Sequence, residues 1–231
     1  GLRIVAASSS STPLSLPEWS APAPDALDAA THSFVDHTRA LGDPVVVTVP
    51  AGMVLAEPIV IRSHVRSDGV AVFPHVVVVA GADSEFRIVE WTTSDDVDSL
   101  VVPLLELDLG PAARLTHESV QELGPRVVQI AEQRAVVAQS ATHRTFHAAL
   151  GGARARIRVD VELVGRGAHS AVAALYLGGE EQVHDLRTFM SHLAQDTTSD
   201  IEGRGAVDDH SHAIYTGLIR ITPDGKGSRA E

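Results

Sequence analysis

The chain has 231 residues, a formal net charge of −12 and no cysteine. The charge argues against a nucleic-acid or anionic-membrane surface, which needs clustered cations. The missing thiols exclude disulfides, thiolate nucleophiles and any Cys-ligated metal supplied by this chain. No apolar run of about 18 residues and no basic-then-apolar leader is seen, so a cytoplasmic protein is the expectation.

In chain order, residues 1–26 carry Ser8-Ser9-Ser10-Ser11-Thr12 and prolines at 13, 17, 22 and 24. That composition favours an extended or disordered arm, which Trp19 would pin against the body. Residues 25–41 read as one short amphipathic helix, with Leu27, Ala30, Phe34 and Leu41 on its apolar side and Gly42 as its stop. From Pro44 onward β-branched runs follow one another: Pro44-Val45-Val46-Val47-Thr48-Val49-Pro50, Glu57-Pro58-Ile59-Val60-Ile61, His75-Val76-Val77-Val78-Val79-Ala80-Gly81 and Glu85-Phe86-Arg87-Ile88-Val89-Glu90. Further strands are expected at 100–109, 112–120, 125–133, 136–139, 142–150, 154–164, 171–177 and 214–221. Their spacing of about 8–12 residues is an all-β signal. The predicted organisation is an arm and helix over 1–43, a β core over 44–222 and a tail over 223–231.

Aromatic residues are only 4% of the chain, so the core must be built from small aliphatics, which suits stacked strands. The apolar runs are nearly continuous, as in strands covered on both faces. Glycine corners recur: Gly81-Ala82-Asp83, Leu109-Gly110-Pro111-Ala112-Ala113, Leu150-Gly151-Gly152-Ala153 and Gly165-Arg166-Gly167-Ala168. Strand, corner and small residue in imperfect repetition point to a β-solenoid. A β-sandwich fits the spacing about as well.

Residues 165–221 decide between them. Gly165 and Gly167, Tyr176-Leu177-Gly178, Gln182, Asp185, Thr188 and His192 are followed by Thr198-Ser199-Asp200, Gly205 and Ile214-Tyr215-Thr216-Gly217-Leu218-Ile219-Arg220-Ile221. This ordered set resembles the core of the SufB/SufD family, the scaffold subunits of the Suf iron-sulfur cluster assembly machinery. A weaker likeness extends over residues 45–222. The resemblance implies a right-handed parallel β-helix and a non-catalytic scaffold. It implies partners too: a SufB-like subunit, and a SufC-like ATPase engaged through a C-terminal helical domain that this chain lacks. The absence of cysteine selects a SufD-like subunit, because the SufB-like one must supply thiolates. No cofactor is expected on this chain alone, and an iron-sulfur cluster only with a cysteine-bearing partner. The terminal strand exposes unpaired backbone groups, so Ile214, Tyr215, Gly217, Leu218 and Ile219 are the predicted interface, for a partner subunit or a homodimer of the core.

The histidines offer a separate chemistry. His192 reads first as a corner histidine held by its neighbours and second as a metal ligand or a polar group on a path for sulfur. His210 and His212, at i and i+2, would share one face of a strand and are close enough to share a metal. His143 and His147 also share a face and read as solvated surface residues. Phosphate-loop, Gly-x-Ser-x-Gly and HExxH motifs are all absent, so no enzyme is expected. Ile201-Glu202-Gly203-Arg204 is assigned to a turn. The alternatives to the scaffold are a β-solenoid carbohydrate-active or carbohydrate-binding protein, which two Trp and two Tyr support poorly, and a His-based metal-binding accessory protein.

Overall fold

The computed structural model describes residues 3–6, 29–41 and 43–231. From Val45 onward the chain winds as a parallel β-solenoid, each coil laying one strand in each of two sheets. The first coil holds β2 (Val45–Val49) and β3 (Ile59–Val65). The second holds β4 (Ala71–Val72), β5 (His75–Ala80) and β6 (Glu85–Ser94), and the third β7 (Leu100–Val101), β8 (Leu104–Leu109) and β9 (Arg114–Glu122), the short β4 and β7 continuing into β5 and β8 in the same sheet. β10 (Val128–Val137) with β11 (Thr142–Ala149), β12 (Arg154–Leu163) with β13 (His169–Gly178), and β14 (Val183–His192) with β15 (Thr198–Val207) complete coils four to six. β16 (His212–Ile221) and β17 (Arg229–Ala230) begin a seventh, so residues 223–231 carry a strand rather than only a tail.

The pairing is parallel throughout except at the N-terminal end, where β1 (Arg3–Ala6) caps β2 in antiparallel register. Part of the proposed arm is thus a strand. Trp19 lies outside the described residues. Arg154 pairs with Val183 and Val183 with His212, 29 residues apart each time. The offset varies elsewhere, from 26 residues between Val128 and Arg154 to 31 between Val45 and Val76, and in-register parallel pairing keeps the inward phase constant because side chains alternate with period two. Phe86 and Ile88 therefore point inward beneath Leu115 and His117, while Glu85 and Arg87 face solvent. The lumen is filled mainly by ladders such as Val47, Val78, Leu107, Ala135, Val161 and Met190, with a smaller apolar cluster of Val65, Val97, Val101, Leu123 and Val127.

One corner accounts for Gly81, Gly110, Gly165 and Gly167, whereas Gly151-Gly152 lies at another, between β11 and β12. Gly52, Asp83, Ala112, Ser140, Gly167, Asp196 and Gly227 all have φ between 56° and 79° at equivalent points of successive coils. The N–H of each of the first six donates to a carbonyl in the next coil, as Asp83 does to Pro111, Ala112 to Gln139 and Ser140 to Arg166. At Gly81, Gly110 and Gly165, two residues before the turn position, the backbones nearly touch. A Cβ on Gly165 would lie 1.9 Å from the Gln139 nitrogen, so only glycine fits.

The helix α1 (Ala29–Leu41) lies within the predicted span 25–41, whose first four residues are outside the described ones. It packs on the outside of the first sheet through Val35 and Thr38, whereas Leu41 and Phe34 are exposed, contrary to the predicted face. Thr38 Oγ1 donates to the Val102 carbonyl (2.9 Å), and Arg39 reaches Glu106 (2.7 Å), which also contacts His75 Nε2 (2.8 Å). Burial works to raise the Glu106 pKa, but the hydrogen bonds from His75 and Arg39 more than offset it and hold the carboxyl below its ordinary range. The helix thus explains why strands such as β8 are covered on both faces.

Several strand limits differ from the sequence reading. The segment 100–109 splits at Val102-Pro103, since proline has no N–H for the ladder. The expected pair 125–133 and 136–139 is the single strand β10, which spans that break by pairing β7 and then β8. Ile201-Glu202-Gly203-Arg204 lies within β15, not in a turn.

Candidate functional site

β16 is the last strand of its sheet, hydrogen-bonded to β14 on one side and, among the described residues, to no strand on the other. Its register sets Tyr215 beside Leu186 and Ile219 beside Met190, both of them lumen residues, so Tyr215, Gly217 and Ile219 face the lumen line. Ile214 and Leu218 face outward. All four apolar members are between 41% and 50% exposed. Tyr215 Oη bonds to Thr188 Oγ1 (3.0 Å), and its ring lies over Gly203, where a Cβ would stand 3.3 Å from it. The five residues expected at an interface therefore share one open edge with apolar side chains on both faces, an arrangement suited to pairing with another strand.

The histidines are distributed differently from the sequence reading. His192 ends β14 and is fully buried. Its Nδ1 bonds to Thr197 Oγ1 (2.7 Å) and its Nε2 to Ser199 Oγ (2.9 Å), so both ring nitrogens are occupied at the corner. Burial lowers its pKa. His210 sits in the turn before β16 and His212 is the first residue of that strand, so the two do not share a strand face. Both are exposed. Among the described residues no group of three or more His, Asp or Glu is placed to hold a metal ion.

With the edge and the corner histidine described, the comparison with known proteins is direct. The profile of the SUF system FeS cluster assembly, SufBD core domain matches residues 63–231. The chain belongs to the SufBD family. Over 184 residues it is 25% identical to the iron-sulfur cluster assembly SufBD family protein ML0593 of Mycobacterium leprae, covering 79% of this chain and 21% of that protein. Over 195 residues it is 25% identical to ML0594 of the same organism, covering 79% and 48%. The iron-sulfur cluster assembly protein SufB of Bacillus subtilis is 21% identical over 184 residues, covering 79% and 40%. The chain thus spans less than half the length of these relatives.

Inside this SufBD core lies a feature that sequence reading missed. His143 and His147 are not surface residues but are buried in the lumen, at 0% and 5% exposure. Odd-numbered residues of β11 point inward, and the inward phase follows from pairing with β9 and β13. Burial pushes both imidazoles down to about pKa 3, helped by the neighbouring His117. They belong to a polar seam. His117 bonds through Nε2 to Glu90 (2.8 Å) and through Nδ1 to Thr145 Oγ1 (2.9 Å). Thr145 also meets Gln133 Oε1 and His147 Nε2, each at 3.2 Å. Gln133 Nε2 meets His143 Nε2 at 3.2 Å, and His143 Nδ1 meets Ser170 Oγ at 2.9 Å. A cavity of about 40 Å³ borders the seam, lined by Glu90, His117, Gln129, Gln133 and His147 among others, with Gln129 Oε1 left without a partner. The coil repeat was the available signal: Glu90, Ser119 and His147 stand in one cross-strand row.

No helix among the described residues is long and apolar enough to cross a membrane.

Proposed function

We propose that this chain is the core of a SufD-like, non-catalytic scaffold subunit that supports iron-sulfur cluster assembly by pairing its β16 edge with a SufB-like partner in the cytoplasm. The carrying observation is the open edge of Ile214, Tyr215, Gly217, Leu218 and Ile219 in a SufBD core without a single cysteine. Edge strands recruit other strands through backbone hydrogen bonds, and the apolar side chains on both faces give such a pairing its burial.

The cluster is cargo in this reading, and its thiolate ligands belong to the partner, since this chain offers only imidazoles and carboxylates. A SufC-like ATPase engages the assembly through a part of the subunit outside this core. The same edge admits a second copy when the partner is missing. Neither a carbohydrate-active enzyme nor a His-based metal carrier is favoured by any arrangement described above. Co-purification of the chain with a cysteine-bearing SufB from the same source tests the reading, with Leu218→Asp and Ile219→Asp as edge variants. Capture by the wild type and loss by both variants is the expected result. Failure of the wild type to retain SufB, with a folded chain, overturns it.

A further inference from the structure

The polar seam has a property that separates it from an ordinary satisfied core network: it can be completed in two opposite directions. The heavy-atom positions fix which groups touch but leave the amide orientation of Gln133 and the tautomers of the histidines to be assigned from donors and acceptors. In one arrangement His117 is an imidazolium. It donates from Nε2 to Glu90 and from Nδ1 to Thr145 Oγ1, Thr145 donates to Gln133 Oε1, the Gln133 amide donates to His143 Nε2, and His143 donates from Nδ1 to Ser170. In the other, His117 is neutral with its proton on Nε2. Thr145 then donates to His117 Nδ1, Gln133 is turned over and donates to Thr145, and His143 carries its proton on Nε2 and donates to Gln133, while Ser170 donates to His143 Nδ1. In both arrangements His147 Nε2 donates to Thr145, whose oxygen accepts two bonds and gives one. No contact is lost between them.

We propose that the seam is a two-state hydrogen-bond relay, in which gain or loss of a proton at His117 turns the Gln133 amide and moves the proton of His143 from one ring nitrogen to the other. The elements along it are β6, β9, β10, β11 and β13, so a charge change beside the partly exposed Glu90 is carried across four coils to the buried Ser170. Atoms balance at every step: one proton enters at His117, Thr145 redirects one hydroxyl hydrogen, the amide rotates, and His143 exchanges one N–H for another without changing charge. Burial keeps His143 neutral over the ordinary pH range, so it reports a tautomer and not a charge. The titratable and charged groups that face His117 are Glu90 from β6 and His143 and His147 from β11, with His169 of β13 acting on His143, while β10 presents the uncharged Gln129 and Gln133 to the cavity. Ser170 stands in register with Ser199, which holds His192, so the relay ends beside the corner cluster of the last coils.

The test is nitrogen NMR of the histidine side chains in the full 231-residue chain, titrated from about pH 8 to about pH 5. His143 and His117 are assigned from His143→Gln and His117→Asn. The expected result is that the two ring-nitrogen resonances of His143 exchange places at the midpoint at which His117 becomes charged, with His143 neutral on both sides. In Gln133→Leu, and in Thr145→Val if that variant is the better folded, His117 still titrates but His143 keeps a single tautomer. A His143 that holds one tautomer while His117 titrates in the wild type overturns the proposal. So does a His117 that keeps one charge state across the range, or a tautomer exchange that survives both variants.

Discussion

Lowering the pH from about 8 to about 5 is predicted to destabilise the solenoid by about 4 kcal/mol through His143 and His147 alone. Histidine titrates near 6.5 in the unfolded chain and near 3 in these two folded sites. Between those values the unfolded state binds more protons than the folded one, so stability falls as pH drops through that window. Each pH unit below 6.5 is worth about 1.4 kcal/mol per group, hence about 2 kcal/mol each at pH 5. His184 and His192, also lowered by burial, act in the same direction. Glu106 stays silent here, because stability from a lowered carboxyl is lost only below its ordinary value of 4.5. Asp108, raised by burial, acts in the opposite direction. Set against a typical total of about 5–15 kcal/mol, the loss is large. Urea unfolding at the two pH values measures it, with the double variant His143→Gln and His147→Gln as control. The variant is expected to be less stable at pH 8 and to lose most of the pH slope. Unchanged or higher wild-type stability at pH 5, or an undiminished slope in the variant, refutes the argument.

Gly165→Ala drives a Cβ into the Gln139 and Ala138 backbone and should cost about 3 kcal/mol. Gly167→Ala, at φ 70° with Ser140 Oγ 3.7 Å away, should cost only about 1 kcal/mol; equal losses in thermal melts would contradict the tight-corner account. Glu106→Ala leaves the buried ends of Arg39 and His75 without their carboxylate and is expected to lose about 3 kcal/mol by chemical denaturation, with Glu106→Gln losing less. Leu218→Asp, at a half-exposed edge position, should leave stability within about 0.5 kcal/mol while abolishing partner retention, so a matching drop in thermal stability would point to a structural role instead.

The first coils were legible because their strands are uninterrupted β-branched runs such as Val45-Val46-Val47, and Gly165 and Gly167 marked a real corner. The corner ladder as a whole was not legible. Asp83, Ala112, Ser140 and Asp196 take the same positive φ without being glycine, held there by hydrogen bonds to the next coil. β14 and β15 were hidden for a related reason: their inward positions include His184, Thr188, His192, Ser199, Gly203 and Gly205, which read locally as a polar loop. His143 and His147 were misplaced since a short polar strand does not say which face is inside; the neighbouring coils do. The interface strand was visible as Ile214-Tyr215-Thr216-Gly217-Leu218-Ile219, but only the sheet order places it at the edge.

Amide hydrogen exchange on the chain with and without a cysteine-bearing SufB bears most directly on the scaffold reading. The account predicts that amides within His212–Ile221 become protected when the partner is added, with little change in β6 or β9. Protection confined to another surface, or none at concentrations where the two proteins co-elute, would contradict pairing through the β16 edge.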